Sequence, residues 1–258
     1  MIRGAMPDFS DHFSSLANDY AAFRPTYPAE LVASVAALAP SRALAWDCAT
    51  GNGQSALLLA DHFERVLATD ASESQLALAK PHPRVEYRVA LAERSGLADA
   101  SVDLVTIAQA LHWFDVPRTF AEINRVLKPR GVVAAWCYHL AKVDAAIDPV
   151  VWEFYDGRVG PFWPTERKHI AAEYRDFEFP FAEFGDLDAR PWCMRATLTR
   201  ERFLGYVATW SAVEQAREQQ KVDPLPELAR ALEAVWPANE PRDVRWPMGL
   251  RIGRKRSV

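Results

Sequence analysis

The stretch "AWDCATGNGQSA" at residues 45–56 decides how the chain folds. It runs from apolar residues through an acid, Asp47, into a loop carrying Gly51 and Gly53, and then into a helical pattern. A short buried strand that ends in a glycine loop and feeds a helix is the opening of a βαβ unit. Residues Gly51–Ala56 also fit G-x-G-x-x-A, a spacing in which glycines let the backbone approach a ligand without a Cβ collision. By themselves the two glycines serve equally well for a tight strand-to-helix turn.

Outward from this loop, strand and helix alternate. Residues 28–39 predict a helix with Leu31, Val32, Val35 and Leu38 on one face, and residues 42–48 a buried strand. A helix over 53–63 and a strand over 64–70 follow. The next helix covers 72–80, with Ser72 as N-cap and Pro81 past its end, before strands at 84–90 and 101–110. A helix at 116–127 has Pro117 in its first turn, "KPRG" breaks the chain at 128–131, and a fifth strand covers 132–138. Five such alternations call for a parallel sheet with helices on both faces. The first strand then sits at the switch point, with ligand outside its carboxyl end.

Past Ala141 the pattern changes. Residues 147–164 and 166–177 read as helical and aromatic-rich, and 192–198 as a strand. Helices follow at 200–220 and 225–236, the latter with Leu225, Leu228, Leu232 and Val235 in register. A last strand covers 243–255, where Pro247 predicts an edge position or a bulge. The expected organisation is an N-terminal arm and helix over 1–40, a ligand-binding core over 41–140, an inserted helical lid over 141–190, and remaining strands and helices over 191–258 that complete the sheet domain.

Composition narrows the class. Of 258 residues, 50% are hydrophobic and 25% charged, the proportions of a soluble globular protein with a substantial core. A net charge of −4 gives no pull toward nucleic acid or an anionic membrane, and the basic end "RIGRKRSV" reads as a solvated tail. Cys48, Cys137 and Cys193 are scattered, without disulfide or zinc-ligand spacing, so no metal is expected. The start "MIRGAMPDFSDHF" has no apolar signal region, and no later run reaches about 18 apolar residues. A reduced, cytoplasmic protein, monomer or homodimer, is expected.

Three acids refine the ligand. Asp47 stands ahead of the glycines, where a pyrophosphate would disfavour negative charge but an ammonium would welcome it. Asp70 ends the second strand, 19 residues past Gly51, placed to accept from two ribose hydroxyls, which by itself fits NAD equally well. Glu93 follows the third strand, either as a polar group beside an adenine ring or as a solvated loop acid.

These residues resemble the class I S-adenosylmethionine-dependent methyltransferases, of methyltransferase type 11. The family's D-x-G-x-G-x-G motif corresponds to "DCATGNG", with Ala49 in the first glycine position. The acid of its second strand matches Asp70, and "LAERSGLADASVDLVTIAQALHWF" and "INRVLKPRGVVAAW" match the segments that follow. The resemblance covers roughly residues 43–137. It implies an α/β, Rossmann-like sheet of seven strands, six parallel and one antiparallel, and S-adenosyl-L-methionine held by Asp47, Ala49, Thr50, Gly51, Asn52, Gly53, Asp70, Ala71, Ala92, Glu93 and Gln109. "YAAFRPTYP", "ALHWFD" and "ATWSAVEQA" narrow the likeness to the trans-aconitate methyltransferase-like group. In that group the N-terminal segment folds over the cofactor, which would bring Tyr20 and Arg24 to its methionine end.

The acceptor is expected to be a small molecule, with a carboxylate implied by this resemblance. His112 is the candidate base or orienting residue, with His139 a weaker second; Trp113, Tyr138, Trp152, Tyr155 and Trp163 are candidate pocket walls. Phe162 joins this aromatic concentration, and Arg158, Arg167 and Lys168 are cations able to receive an acid, with nothing in the sequence to choose among them. Two other readings stay open. One is an NAD(P)-dependent oxidoreductase, opposed by Asp47 and by the "ALHWF" segment. The other is a non-catalytic cofactor- or partner-binding protein, for which Ala49 is the one indication.

Overall fold

The structure, a computed structural model, describes residues 25–184 and 190–256. Five strands form its parallel half: β1 (Leu44–Cys48), β2 (Arg65–Asp70), β3 (Val85–Val89), β4 (Val102–Ala108) and β5 (Leu127–Tyr138). They pair in the order β3-β2-β1-β4-β5, all parallel, so their carboxyl ends open on one rim. β8 (Arg242–Arg254) adds antiparallel to β5. Beyond it lie β6 (Ala182–Glu183) and β7 (Cys193–Leu198), each antiparallel to β8 and therefore running with the first five. The expected sixth parallel position is thus filled by two short pieces, one of them too short to be legible in the sequence.

Side chains alternate across the sheet as its pleat requires. On β5, Val132, Ala134, Trp136 and Tyr138 enter one core, while Val133, Ala135 and Cys137 enter the other. Both faces are covered, which is why the strand reads as an unbroken apolar run. The first face is packed by α1 (Ala29–Ala36), α2 (Gln54–Ala60), α5 (Ile147–Trp152), α7 (Arg200–Ala208), α8 (Ser211–Gln220) and α9 (Leu225–Glu233). The second is packed by α4 (Val116–Val126) and by the segment from Ile170 to Phe181. Among the described residues no helix is long and apolar enough to cross a membrane.

Several elements depart from the sequence expectation, each for a local reason. The helix expected over 72–80 is one turn, α3 (Glu73–Leu76), started by the Ser72 hydroxyl accepting from Gln75 N–H at 3.3 Å. "KPRG" does not precede β5 but lies inside it as a bulge. Val102 pairs with Leu127 and Leu104 with Val132, and Arg130 takes a φ of 64° to absorb the extra residues. The helix expected over 200–220 breaks at Thr209–Trp210, where Trp210 turns extended and buries its indole. Residues 147–164 continue α5 as a π-helix, Glu153–Arg158, and a 3₁₀ turn, Gly160–Phe162. The second lid helix is reduced to a 3₁₀ turn, Thr165–Arg167, and α6 (Lys168–Ala171). It stops because Glu173 and Tyr174 take φ values of 52° and 61°. Pro247 does not mark an edge: β8 is paired on both sides. The β5 ladder ends one residue away, at Tyr138↔Met248, and Pro247 offers His139 N–H only its carbonyl, at 2.8 Å.

Candidate active site

The glycine loop is strained into shape. After β1 the chain takes positive φ at Ala49 (55°), Gly51 (57°) and Gly53 (86°). Gly53 caps α2 from that conformation, and a Cβ there would lie 2.5 Å from the Tyr87 hydroxyl oxygen. At Gly51 a Cβ would meet nothing closer than the Gln75 amide oxygen at 3.8 Å, so the loop presents bare backbone to open space. Thr50 N–H donates to the Thr69 carbonyl at 2.9 Å and ties the loop to β2.

Asp47 is fully buried, and both its oxygens accept from hydroxyls: Oδ2 from Thr50 at 2.5 Å and Oδ1 from Thr106 at 2.6 Å. It therefore fastens the loop to β1 and β4, and its charge acts through space. Burial pushes its carboxyl up to about 6, the Thr106 and Thr50 hydroxyls pull it down, and the charge of Asp70 adds to the rise. Asp70, at the end of β2, accepts from Gly51 N–H at 2.8 Å and Ser72 N–H at 2.9 Å. A carboxylate accepts from several donors at once, a chemistry that suits ribose hydroxyls as well as amides.

Glu93 is half-buried. Its Oε1 accepts from Asp115 N–H at 3.2 Å and Thr119 Oγ1 at 3.4 Å, at the start of α4. Ala92 is buried beside it, while Asn52 and Ala71 lie half-buried in the two loops. Gln109 takes a φ of 57° at the end of β4, and its Oε1 accepts from Tyr138 N–H at 2.8 Å.

His112 lies in a 3₁₀ turn, Leu111–Trp113, just beyond β4. Its Nδ1 is 3.1 Å from the Tyr174 hydroxyl, and the Trp113 ring lies 4.7 Å from its own. Burial, reinforced by the charges of Arg167 and His169, pulls it down to about 3, so the ring is neutral at ordinary pH and a weak base. His139 is 3.1 Å from Glu173 Oε1, and Tyr138 is buried in the first core. Tyr155 and Trp163 face each other at 5.0 Å, each within 5.7 Å of Trp210. Trp152 stacks outside this group at 5.7 Å from Tyr155 and is 51% exposed.

Tyr20 and Arg24 fall outside the described residues. The sequence reading missed Thr106, Tyr87, Tyr174 and Trp210. Each touches the site across 34 or more residues of chain, so neither spacing nor periodicity marks it.

The donor set suits S-adenosylmethionine. Bare glycine backbone and an acid at the end of each of the first two strands, the buried Asp47 and then Asp70, favour a ligand that is cationic near β1 and carries ribose hydroxyls near β2. A pyrophosphate would meet two carboxylates there.

Comparison with known proteins agrees. The sequence profile of a family described as "Methyltransferase domain" matches residues 46–135. A protein of Dictyostelium discoideum that carries a methyltransferase name is 31% identical over 255 residues, covering 96% of each chain. A solved structure from Anaeromyxobacter dehalogenans carrying a type II methyltransferase name superposes with a TM-score of 0.83. It is 45% identical and covers 90% of this chain and 98% of that one. A Bacillus halodurans structure with a methyltransferase name shares the fold at TM-score 0.50, with 21% identity over 89% of this chain and 99% of that one. Identity held along nearly the whole of two chains, on a sheet whose switch point carries these acids, settles the family: the chain belongs to the class I S-adenosylmethionine-dependent methyltransferases.

Proposed function

We propose that this chain methylates a small-molecule acid at a carboxylate oxygen, as a member of the trans-aconitate methyltransferase-like group. The observation that carries the carboxylate is His112. It is the candidate base nearest the end of β4, yet it is buried, bonded to Tyr174 and held near 3. A hydroxyl or ammonium acceptor would need a group to take its proton, whereas a carboxylate is already ionised.

In this reading Asp47, Ala49, Thr50, Gly51, Asn52 and Gly53 form the methionine side of the cofactor site. Asp70 and Ala71 take the ribose, and Ala92 and Glu93 the adenine. Gln109 donates its NH₂ toward the ligands, and Tyr20 and Arg24 are assigned to the methionine end of the cofactor. When bound, the cofactor supplies an electrophilic sulfonium methyl. The protein's part is to align the acceptor and exclude water. His112 orients rather than titrates; Trp113 after β4, Tyr138 and His139 at the end of β5, and Tyr155 and Trp163 from the 141–190 lid form the acceptor walls, with Trp152 on the rim. No nucleic acid or membrane partner is proposed, and a cytoplasmic monomer or homodimer is the simplest form.

The test is turnover of S-adenosylmethionine bearing a labelled methyl group against matched carboxylic acids, alcohols and amines. Methyl ester formed from an acid, at a rate insensitive to pH between 6 and 9, is expected. Label moving only to amines or alcohols would overturn the acceptor assignment.

A further inference from the structure

The three lid cations differ in what already holds them. Arg158 donates to Glu227 and to Gln220, each at 3.0 Å, so its charge is paired. Lys168 is exposed at the start of α6. Arg167 is half-buried and has no carboxylate partner among the described residues. Its guanidinium carbon sits 4.0 Å from the Trp163 ring centre and 5.5 Å from that of Tyr155, and its Nε donates to the Tyr155 hydroxyl at 3.0 Å. The turn that carries it, Thr165–Arg167, packs on the turn Leu111–Trp113 at the end of β4. Its positive charge reaches His112, Cys137 and Tyr174.

A guanidinium fixed over an indole and unsatisfied by an acid is preorganised for a planar anion. Its remaining N–H groups keep the fork that grips two oxygens at once. Such a grip also withdraws electron density from both oxygens, which makes the held carboxylate a poor nucleophile. The anion that Arg167 holds is therefore not the one that receives the methyl group.

We propose that Arg167 is a specificity-determining residue that anchors a second, non-reacting carboxylate of the acceptor, so that the enzyme selects diacids over monoacids. This rests on the acid-methylating reading above. The other carboxylate that Arg167 could meet is that of the cofactor's own methionine, and the test separates the two.

S-adenosylhomocysteine is first titrated into wild type, Arg167→Met and Arg167→Lys. The loaded proteins are then titrated with succinate, glutarate, fumarate and phthalate, each beside its monoamide. Methionine keeps the stem over Trp163 without the charge, and circular dichroism confirms folding. In wild type at least one diacid should bind tenfold or more tightly than its monoamide. Arg167→Met should lose that preference with S-adenosylhomocysteine affinity within twofold of wild type, and Arg167→Lys should keep part of it. No diacid preference in wild type, or a preference that survives in Arg167→Met, overturns the proposal. So does a parallel loss of S-adenosylhomocysteine affinity, which would place Arg167 on the cofactor. Failure of wild type to bind S-adenosylhomocysteine would instead strike the underlying methyltransferase reading.

Discussion

Replacing Asp47 with asparagine should stabilise the ligand-free protein while weakening its hold on the cofactor. Asparagine keeps an acceptor oxygen for one threonine hydroxyl, and its NH₂ can donate to the other, so the cross-link from Thr50 to Thr106 survives. What is lost is the buried charge. A carboxyl held at about 6 instead of 3.8 corresponds, at about 1.4 kcal/mol per tenfold, to roughly 3 kcal/mol. The folded state binds this proton more tightly than the unfolded chain, so wild-type stability falls as pH rises from about 4 to about 6 and is level above that. Urea unfolding of both proteins from pH 4 to 8 should show the advantage of Asp47→Asn growing through that window to about 3 kcal/mol. Cofactor binding should respond in the opposite sense. An ammonium near Asp47 favours its ionised form, so wild-type affinity for S-adenosylhomocysteine should weaken as pH falls below about 6, and that of the variant should not. A stability difference independent of pH would refute the buried-charge argument.

Ala49 holds a φ of 55°, which costs a residue with a Cβ about 1–2 kcal/mol, while glycine forfeits about 0.4–1 kcal/mol of unfolded-chain entropy. Ala49→Gly should therefore raise stability by up to about 1 kcal/mol, seen as a thermal midpoint higher by about 2–4 °C, with cofactor affinity kept or improved. Gly53→Ala should do the reverse. Its Cβ would need a φ of 86° and meet Tyr87 Oη at 2.5 Å, so a loss of about 1–3 kcal/mol and at least tenfold weaker S-adenosylhomocysteine binding should appear in denaturation and calorimetry. With His112 held near 3, kcat should show no inflection between pH 5 and 9 that disappears in His112→Asn; one near 6.5 that does so would restore it as a base.

The parallel half of the fold was legible because β1, β2, β4 and β5 are buried apolar runs separated by capped or glycine-bounded helices. The glycine loop was legible because its glycines, Asp47 and Asp70 are fixed by position relative to strand ends. What failed to show depended on contacts made after collapse. Two residues of β6 carry no periodicity, and the break at Trp210 is made by an indole that gains more from the Tyr155–Trp163 cluster than from continuing a helix. Glu93 read equally as a solvated acid because its partners, Asp115 N–H and Thr119, lie 22 and 26 residues away. Arg167 looked like its neighbours until the fold showed which cation already had an acid.

The most direct test of the account is a calorimetric titration of wild type and Asp70→Ala with S-adenosylhomocysteine, with NADH as the control ligand. The Asp70 carboxylate accepts from Gly51 and Ser72 and is the group proposed to meet the ribose. Wild type should bind with micromolar affinity, about −8 kcal/mol, and folded Asp70→Ala at least a hundredfold more weakly, with no heat from NADH in either. Undiminished affinity in Asp70→Ala, or binding of NADH but not S-adenosylhomocysteine by wild type, would contradict the assignment of this loop to the cofactor.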